Sequence, residues 1–410
     1  MKPDFDIVIV GGGMVGACVA ALLAAERDLA DLRIALLEAK PPAQAPADSD
    51  VDLRVSAVSP ASQNILEAVN AWSRIGEPCL SPYSDMTVWD SRARPHGAGS
   101  LHFSASATSE PYLGHIVENR RIQWALYDCP SMRRVTLLRS ELVRLDFEDD
   151  GVVLVLGDGR TVGAQLVIGA DGADSLSRKL AGIDTVGRSY EQRAFVTHVA
   201  TQYPHRRTAW QRFLPTGPIA FLPLADGRSS IVWTTTPEHA HHLIECTSEE
   251  LGRELTDALD GVLGTVTPAA GRAQFPLRLT HARQYCRDHF VLVGDAAHSI
   301  HPLAGQGVNL GFLDAAALTQ VLTEAVRAGD SFAERAVLRR YERWRKSENA
   351  VALTLVDGLN RLFSNSDTAL AALRRFGLTL VDSNSLAKRF FIGRAMGIAG
   401  DTPNVANRLR

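Results

Sequence analysis

The chain predicts an α/β fold: a parallel-sheet domain assembled from separated stretches, a second domain built on an antiparallel sheet, and a helical C-terminal region. Three observations carry this reading. The all-apolar run Ile7 to Val10 leads into a glycine-rich turn and an Ala/Leu-rich helix, as expected of a strand covered on both faces. Runs of the same kind return far downstream, at Leu166 to Ile168 and Phe290 to Val293, so one sheet must gather distant pieces of chain. Between those two runs the text changes to short strands with turn residues at their ends, which suits an antiparallel sheet. A length of 410 residues exceeds one ordinary core and fits two closely packed domains.

Taken in order, Phe5 to Lys40 reads as strand, glycine turn, helix and strand, the last being Arg33 to Glu38. Pro41 to Asp50, rich in Pro, Ala and Asp, is a loop. Leu142 to Ile168 alternates with turn signals at Asp149-Asp150-Gly151 and Asp158-Gly159 and predicts a β-meander. Strands are expected again across Ala194 to Pro237, and helix from about Leu310 to the end. The parallel-sheet domain is therefore expected from residues 1–75, 112–180 and 276–345. The antiparallel domain takes 76–111 and 181–275, and the helical region 346–410.

Composition narrows the function classes. Hydrophobic residues make up 46%, charged residues 22%, and the net charge of -3 gives no electrostatic case for a nucleic-acid partner. Five scattered cysteines without a CxxC pair read as reduced thiols of a cytoplasmic protein, and they argue against a disulfide reductase. The N-terminus lacks the pattern of a signal peptide, and no uncharged apolar run reaches the roughly 18 residues needed to span a bilayer.

The chemistry lies in three glycine-and-carboxylate constellations. Gly11, Gly13 and Gly16, with Met14 and Val15 between them, fit G-x-G-x-x-G after a strand and at the start of a helix. Such glycines permit a tight turn and close approach of a pyrophosphate, and the helix end offers unpaired N–H groups. Glu38, about 20 residues past the last glycine, stands where a carboxylate accepts from ribose hydroxyls. The second constellation is Asp171-Gly172 with Asp174 and Arg178. The third is Gly294-Asp295 with His298, running on through His301, Pro302, Gly305, Gln306, Gly307, Asn309 and Gly311 to Asp314. In both, an apolar strand ends in a carboxylate, which points into the crevice where ligands of such sheets sit. Asp295 there suits ribityl hydroxyls, and the glycines after it let backbone approach a flat ring.

Together these motifs resemble the group A flavin monooxygenases of the p-hydroxybenzoate hydroxylase fold. The run His301 to Asp314 resembles more narrowly the ubiquinone-biosynthesis hydroxylases. Asp52 to Ser62, Leu113 to Asn119 and Arg212 to Pro218 match as well, so the similarity spans nearly the whole chain. The resemblance implies a discontinuous Rossmann-like domain binding FAD, with NAD(P)H as electron donor. The implied reaction is hydroxylation of an aromatic, prenylated phenol or quinol precursor by O2. By position, Glu38 would hold the adenosine ribose, Arg54 the pyrophosphate side and Asp295 the ribityl chain. Asn119 and Gln123 would add FAD contacts, and Gln306, Gly307 and Asn309 would lie against the isoalloxazine. Asp171 and Arg178 belong to a motif serving FAD, NAD(P)H or both.

The reaction face is expected along Pro302, Gly305 and Gln306, with no catalytic base named. Phe213, Phe221, Leu222, Pro223 and Trp233 are the candidate substrate wall, and the apolar stretch Val351 to Ile398 the cover of a tail channel. His298 and His301 have no third ligand spaced for a metal and read as hydrogen-bonding groups near the flavin. Arg339 to Lys346 form a basic helical stretch read as a solvated face. Membrane-partitioning substrates imply peripheral contact with the inner face of a membrane, or with a biosynthetic complex. Competing readings are a halogenase, for which the W-x-W-x-I-P segment is absent, a prenyl reductase, and a non-catalytic flavin-binding scaffold.

Overall fold

The computed structural model describes residues 3–42, 51–299, 307–363, 384, 388, 392–394 and 396–407. Three sheets organise them. The first runs Cys286–Arg287, Phe290–Leu292, Thr161–Gly169, Phe5–Val10, Ile34–Leu37 and Val135–Leu138. From Phe290–Leu292 to Val135–Leu138 its neighbours pair in parallel, and Phe5–Val10 sits near the middle between Thr161–Gly169 and Ile34–Leu37. The expected meander is present: Leu142–Glu148 and Gly151–Leu156 pair antiparallel and continue into Thr161–Gly169.

Burial explains why these residues form a parallel sheet. Ile7, Val8, Ile9, Leu166, Val167 and Ile168 have no exposed surface, because helix Met14–Ala25 and the meander residues Leu145, Val152 and Leu154 share one core with the sheet and leave no solvent side for polar alternation. The helix Met14–Ala25 is apolar all round for the same reason, and Gly16 through Ala24 are buried beneath the helix Gly307–Ala328 and against the sheet.

The second sheet is centred on the long strand Thr185–Thr201, flanked by Ala273–Ala282 and Ser229–Thr235. It continues through Gly217–Pro223, Thr208–Leu214 and Asp85–Asp90 to Ser100–Ser104. Side chains alternate across it. On one face Trp89, Phe195, Ile219, Phe221, Ile231 and Trp233 pack against Leu243, Leu251 and Leu255 of the helices Pro237–Glu245 and Ser248–Ala258. On the other, Ala209, Ala220 and Leu222 meet Ala57 and Ile116 of a small third sheet, Val55–Val58, Gly114–Glu118 and Ser81–Tyr83. That third sheet is the seam between the domains. A short strand, His298–Ser299, also crosses over, pairing with Thr280 and His281 immediately after the Gly294-Asp295 turn. Among the described residues, no helix is long and apolar enough to cross a membrane.

Candidate functional site

The glycine turn shows why each glycine is needed. Gly11 takes φ +98°, and a Cβ on Gly16 would lie 1.9 Å from the Gly11 carbonyl oxygen, so neither position accepts a larger residue without moving the turn. Gly13 differs: a Cβ there would meet nothing within 4 Å. It is the N-cap of the helix Met14–Ala25 and supplies no side-chain cap, so that helix presents uncapped N–H groups across open space. This is the cradle a pyrophosphate fits. The Val15 side chain packs inward, wedged where Cβ atoms on Gly294 and Gly311 would approach its methyls to 3.1 and 2.5 Å. Gly311 therefore admits a helix neighbour rather than a flat ring, which corrects the expectation for it.

Glu38 lies beside the turn. Its Oε2 accepts from the Gly12 N–H at 2.8 Å and its Oε1 from the Lys40 N–H at 2.9 Å. Each carboxylate oxygen keeps a further lone pair for a ribose hydroxyl. Gln123 Nε2 and the Tyr127 hydroxyl both donate to the Gly12 carbonyl, at 2.7 and 3.0 Å, and so clamp the turn from the helix Asn119–Asp128. Asn119 has an internal partner: its Oδ1 accepts from the Ser56 hydroxyl at 2.7 Å, and its N–H donates to the Arg54 carbonyl.

Asp295 stands in the turn Gly294–Ala296 that follows the strand Phe290–Leu292, exposed to solvent although protein surrounds it on most sides. Burial pushes its carboxyl up from the usual range, against the pull of His298 and Arg54. Arg54 is exposed and holds its guanidinium over the Phe275 ring at 5.4 Å. The fold thus brings together the glycine turn, Glu38, Arg54 and Asp295 from four separated stretches.

A buried network fixes the Asp295 turn from behind. Asp314 Oδ2 accepts from the Gly294 N–H at 3.1 Å and from His298 Nε2 at 2.5 Å. Its Oδ1 accepts from Arg345 Nε at 2.7 Å and Asn349 Nδ2 at 3.2 Å. Burial opposes ionisation of Asp314, but His298 and Arg345 outweigh it and hold the carboxyl well below the usual carboxylate range. His298 is thereby a structural partner of Asp314. Arg345, placed by sequence in a solvated basic face, is instead 1% exposed, because helix Arg335–Phe363 turns it inward onto Asp314.

Three other candidates are engaged within the protein. Asp171 accepts from the hydroxyls of Ser175 and Ser177 and from the Ser177 N–H, at 2.5, 2.7 and 2.8 Å. Arg178 donates to the carbonyls of Ala296 and Ala173, tying the second constellation to the third. Through these bonds the two residues shape the turns. Asn309 Oδ1 accepts from the Ser59 N–H and the Ser62 hydroxyl, and its Nδ2 donates to the Ala57 carbonyl at 2.8 Å. Its side-chain amide therefore bolts helix Gly307–Ala328 to the seam. Gly307 opens that helix. Pro302, Gly305, Gln306 and His301, and most of the Val351 to Ile398 stretch, lie outside the described residues.

The wall candidates divide by strand parity. Leu222 faces the seam, and Phe213 shares the parity of seam-facing Ala209. Phe221 and Trp233 point the other way, into the core beneath the two helices, and Pro223 has their parity. The apolar run Ile219 to Pro223 carries no polar alternation, so sequence could not tell its two faces apart. Gln211, Ala220 and Val232 occupy the seam face in their place, as register partners of one another.

The comparisons agree with this geometry. A family described as FAD binding domain matches residues 136–354, and one described as FAD-NAD(P)-binding matches 8–173. The chain is 37% identical over 395 residues to the 3-demethoxyubiquinol 3-hydroxylase of Escherichia coli, covering 96% of this chain and 98% of that one. It is 36% identical to the ubiquinone hydroxylase UbiL of Rhodospirillum rubrum, over 96% and 89% of the two chains. It is 34% identical to the mitochondrial ubiquinone biosynthesis monooxygenase COQ6 of Homo sapiens, over 94% and 91%. Among solved structures, p-nitrophenol 4-monooxygenase PnpA from Pseudomonas putida superposes with a TM-score of 0.76 at 20% identity, covering 98% of this chain and 100% of that one.

Proposed function

Because this chain belongs to the FAD-dependent hydroxylases of ubiquinone biosynthesis, we propose that it hydroxylates the aromatic ring of a prenylated phenol or quinol precursor, using O2 and electrons from NAD(P)H. The observation that carries this reading is the gathering of the open helix start at Gly13 with Glu38, Arg54 and Asp295, from four separated stretches of chain.

The residues fit FAD. The uncapped helix at Gly13 would receive the pyrophosphate, Glu38 the adenosine ribose, Asp295 the ribityl hydroxyls, and Arg54 would balance phosphate charge. When bound, the reduced flavin with O2 supplies an electrophilic oxygen to an electron-rich ring. The protein then has three tasks. The Asp314 network holds the Asp295 turn rigid, so that the cofactor sits in one register. Phe213, Ala220, Leu222 and Val232 form the apolar side of the substrate site and exclude water that would divert the oxygen. The third task is to admit a prenyl tail, for which the apolar stretch Val351 to Ile398 is the proposed cover.

Mass spectrometry of quinone-pathway lipids tests this in cells lacking the gene and in cells carrying it back. Accumulation of a prenylated precursor short of one hydroxyl, reversed on complementation, is expected. An unchanged quinone profile, in cells with no second hydroxylase, would overturn the assignment. We further propose that the protein works at a membrane surface or within a biosynthetic complex, since such a substrate is confined to lipid.

A further inference from the structure

A cavity of about 250 Å³ lies at the seam, between the third sheet and the hairpin turn that joins Gly217–Pro223 to Ser229–Thr235. Val51, Val55, Ile116 and Leu224 give it apolar walls, and Arg121 and Asp226 line it with charge. The run Val51 to Val55 also carries Arg54, so the cavity adjoins the residues gathered for FAD.

The charged groups around it are unequally engaged. Glu118, 5% exposed, accepts from the Asp52 N–H and from Arg120 Nε, both at 2.8 Å, and from Arg121 Nε. Arg228 is held by Asp226, to which its Nε donates at 2.8 Å. Arg121 differs from both. Its Nε is bonded to Glu118, but among the described residues its two Nη groups bond nothing, although the side chain is only 12% exposed and lines the cavity. A guanidinium so nearly enclosed ordinarily gives those N–H groups to carboxylate, phosphate or carbonyl oxygens. Asp226 is the complementary group: its carboxylate is 37% exposed and has acceptor capacity beyond the bonds from Arg228.

We propose that this cavity holds the adenosine half of the nicotinamide donor, with Arg121 on one of its phosphates, Asp226 on ribose hydroxyls, and the adenine against Val51, Val55 and Leu224. The match runs part by part. A planar guanidinium fork pairs with two phosphate oxygens, a carboxylate accepts from sugar hydroxyls, and a flat base buries its faces on apolar walls. The Gly11 to Gly16 cradle is taken by FAD, so the donor's phosphates need a separate hold. The cavity is too small for a whole dinucleotide, which puts the nicotinamide half outside it, on the Arg54 side where the flavin is reduced. This inference rests on the reading that NAD(P)H reduces the flavin.

Cys79 lines the same cavity and supplies the readout, while Cys246, also half-buried, lies at the end of helix Pro237–Glu245 and serves as the reference thiol. The full-length, FAD-loaded protein is alkylated with N-ethylmaleimide, with and without NADP⁺ or NAD⁺, and both cysteines are followed by peptide mass spectrometry. Nucleotide at about ten times its Kd should slow Cys79 about tenfold and leave Cys246 unchanged. Arg121→Gln should abolish the protection and raise the Kd of the donor about tenfold in rapid flavin reduction, with FAD content unchanged. Ala225→Trp, which fills the cavity and touches no ion pair, should do the same, and it alone decides if Arg121→Gln unfolds for want of the Glu118 pair. Protection by NADP⁺ alone puts the 2′-phosphate on Arg121, and protection by both nucleotides puts the pyrophosphate there. Cys79 alkylated at one rate throughout, in a protein whose flavin NADPH or NADH reduces, would overturn the cavity and keep the donor. A flavin that neither reduces would overturn the donor reading, and this inference with it.

Discussion

Two buried polar regions of this molecule differ in one respect: around Asp314 both carboxylate oxygens are engaged, and around His198 the side-chain groups are not. Asp314 receives four donors, Arg345 also bonds Asn349, and Asn349 reaches Tyr285, whose hydroxyl meets His281 at 2.7 Å. His198 and Ser230, equally buried, have unpaired side chains. A closed network stiffens a fold, because every member loses a partner if any one moves. An open one lends no such stiffness. The closed network stands directly behind the Gly294-Asp295 turn, and the open groups lie on the seam face of the second sheet.

The sharpest way to break that contrast is at Asp314. Asp314→Ala strands the cationic Arg345 in the interior and should cost about 3–5 kcal/mol, seen as a lower denaturation midpoint and loss of bound FAD. A variant with unchanged stability would mean that the network is ornamental. Next comes Phe221→Ala, expected to cost about 3–5 kcal/mol through the cavity it leaves in the helix-side core. It should leave KM unchanged, whereas Leu222→Ala on the seam face should raise KM; equal effects on KM would erase the distinction between the faces. Glu38→Ala should weaken FAD roughly tenfold, by removing two turn-fixing bonds and the ribose acceptor together. Equilibrium dialysis of the flavin measures it.

The smallest effect is that of pH. Burial lowers His115 to about 4 and, helped by the charge of His298, lowers His281 to about 4. The unfolded chain protonates these rings near 6.5. Their neutral, folded forms therefore contribute stability that is present above about pH 6.5 and lost as pH falls toward 4. Thermal melts from pH 7.5 to 5 should show a steady fall in Tm, and His281→Gln should flatten it. A Tm that rises on acidification would contradict the burial argument.

Much of the fold was legible because its signals are local. The apolar run Ile7 to Val10, the glycines after it and Glu38 carry their meaning within 40 residues, and the turn signals around Gly151 and Gly159 mark the meander. The substrate face was not legible in the same way. Ile219 to Pro223 is apolar on both sides, since helices cover one face and the seam the other, so period-two alternation vanishes. Asn309 and Asp171 have the residue types of ligand contacts, yet their partners lie at Ser59, Ser62 and Ser177, and only the folded geometry shows them engaged. Arg345 faces inward because Asp314 lies opposite, a pairing across 31 positions that no helical periodicity contains.

The most direct measurement gives the purified, FAD-loaded protein a prenylated phenol, NAD(P)H and isotopically labelled O2, and follows the product by mass spectrometry. One labelled oxygen atom in the ring, formed in step with donor consumption, is the result this account predicts. Donor consumption that yields only hydrogen peroxide with every prenylated phenol offered, or ring oxygen that comes from water, would contradict it.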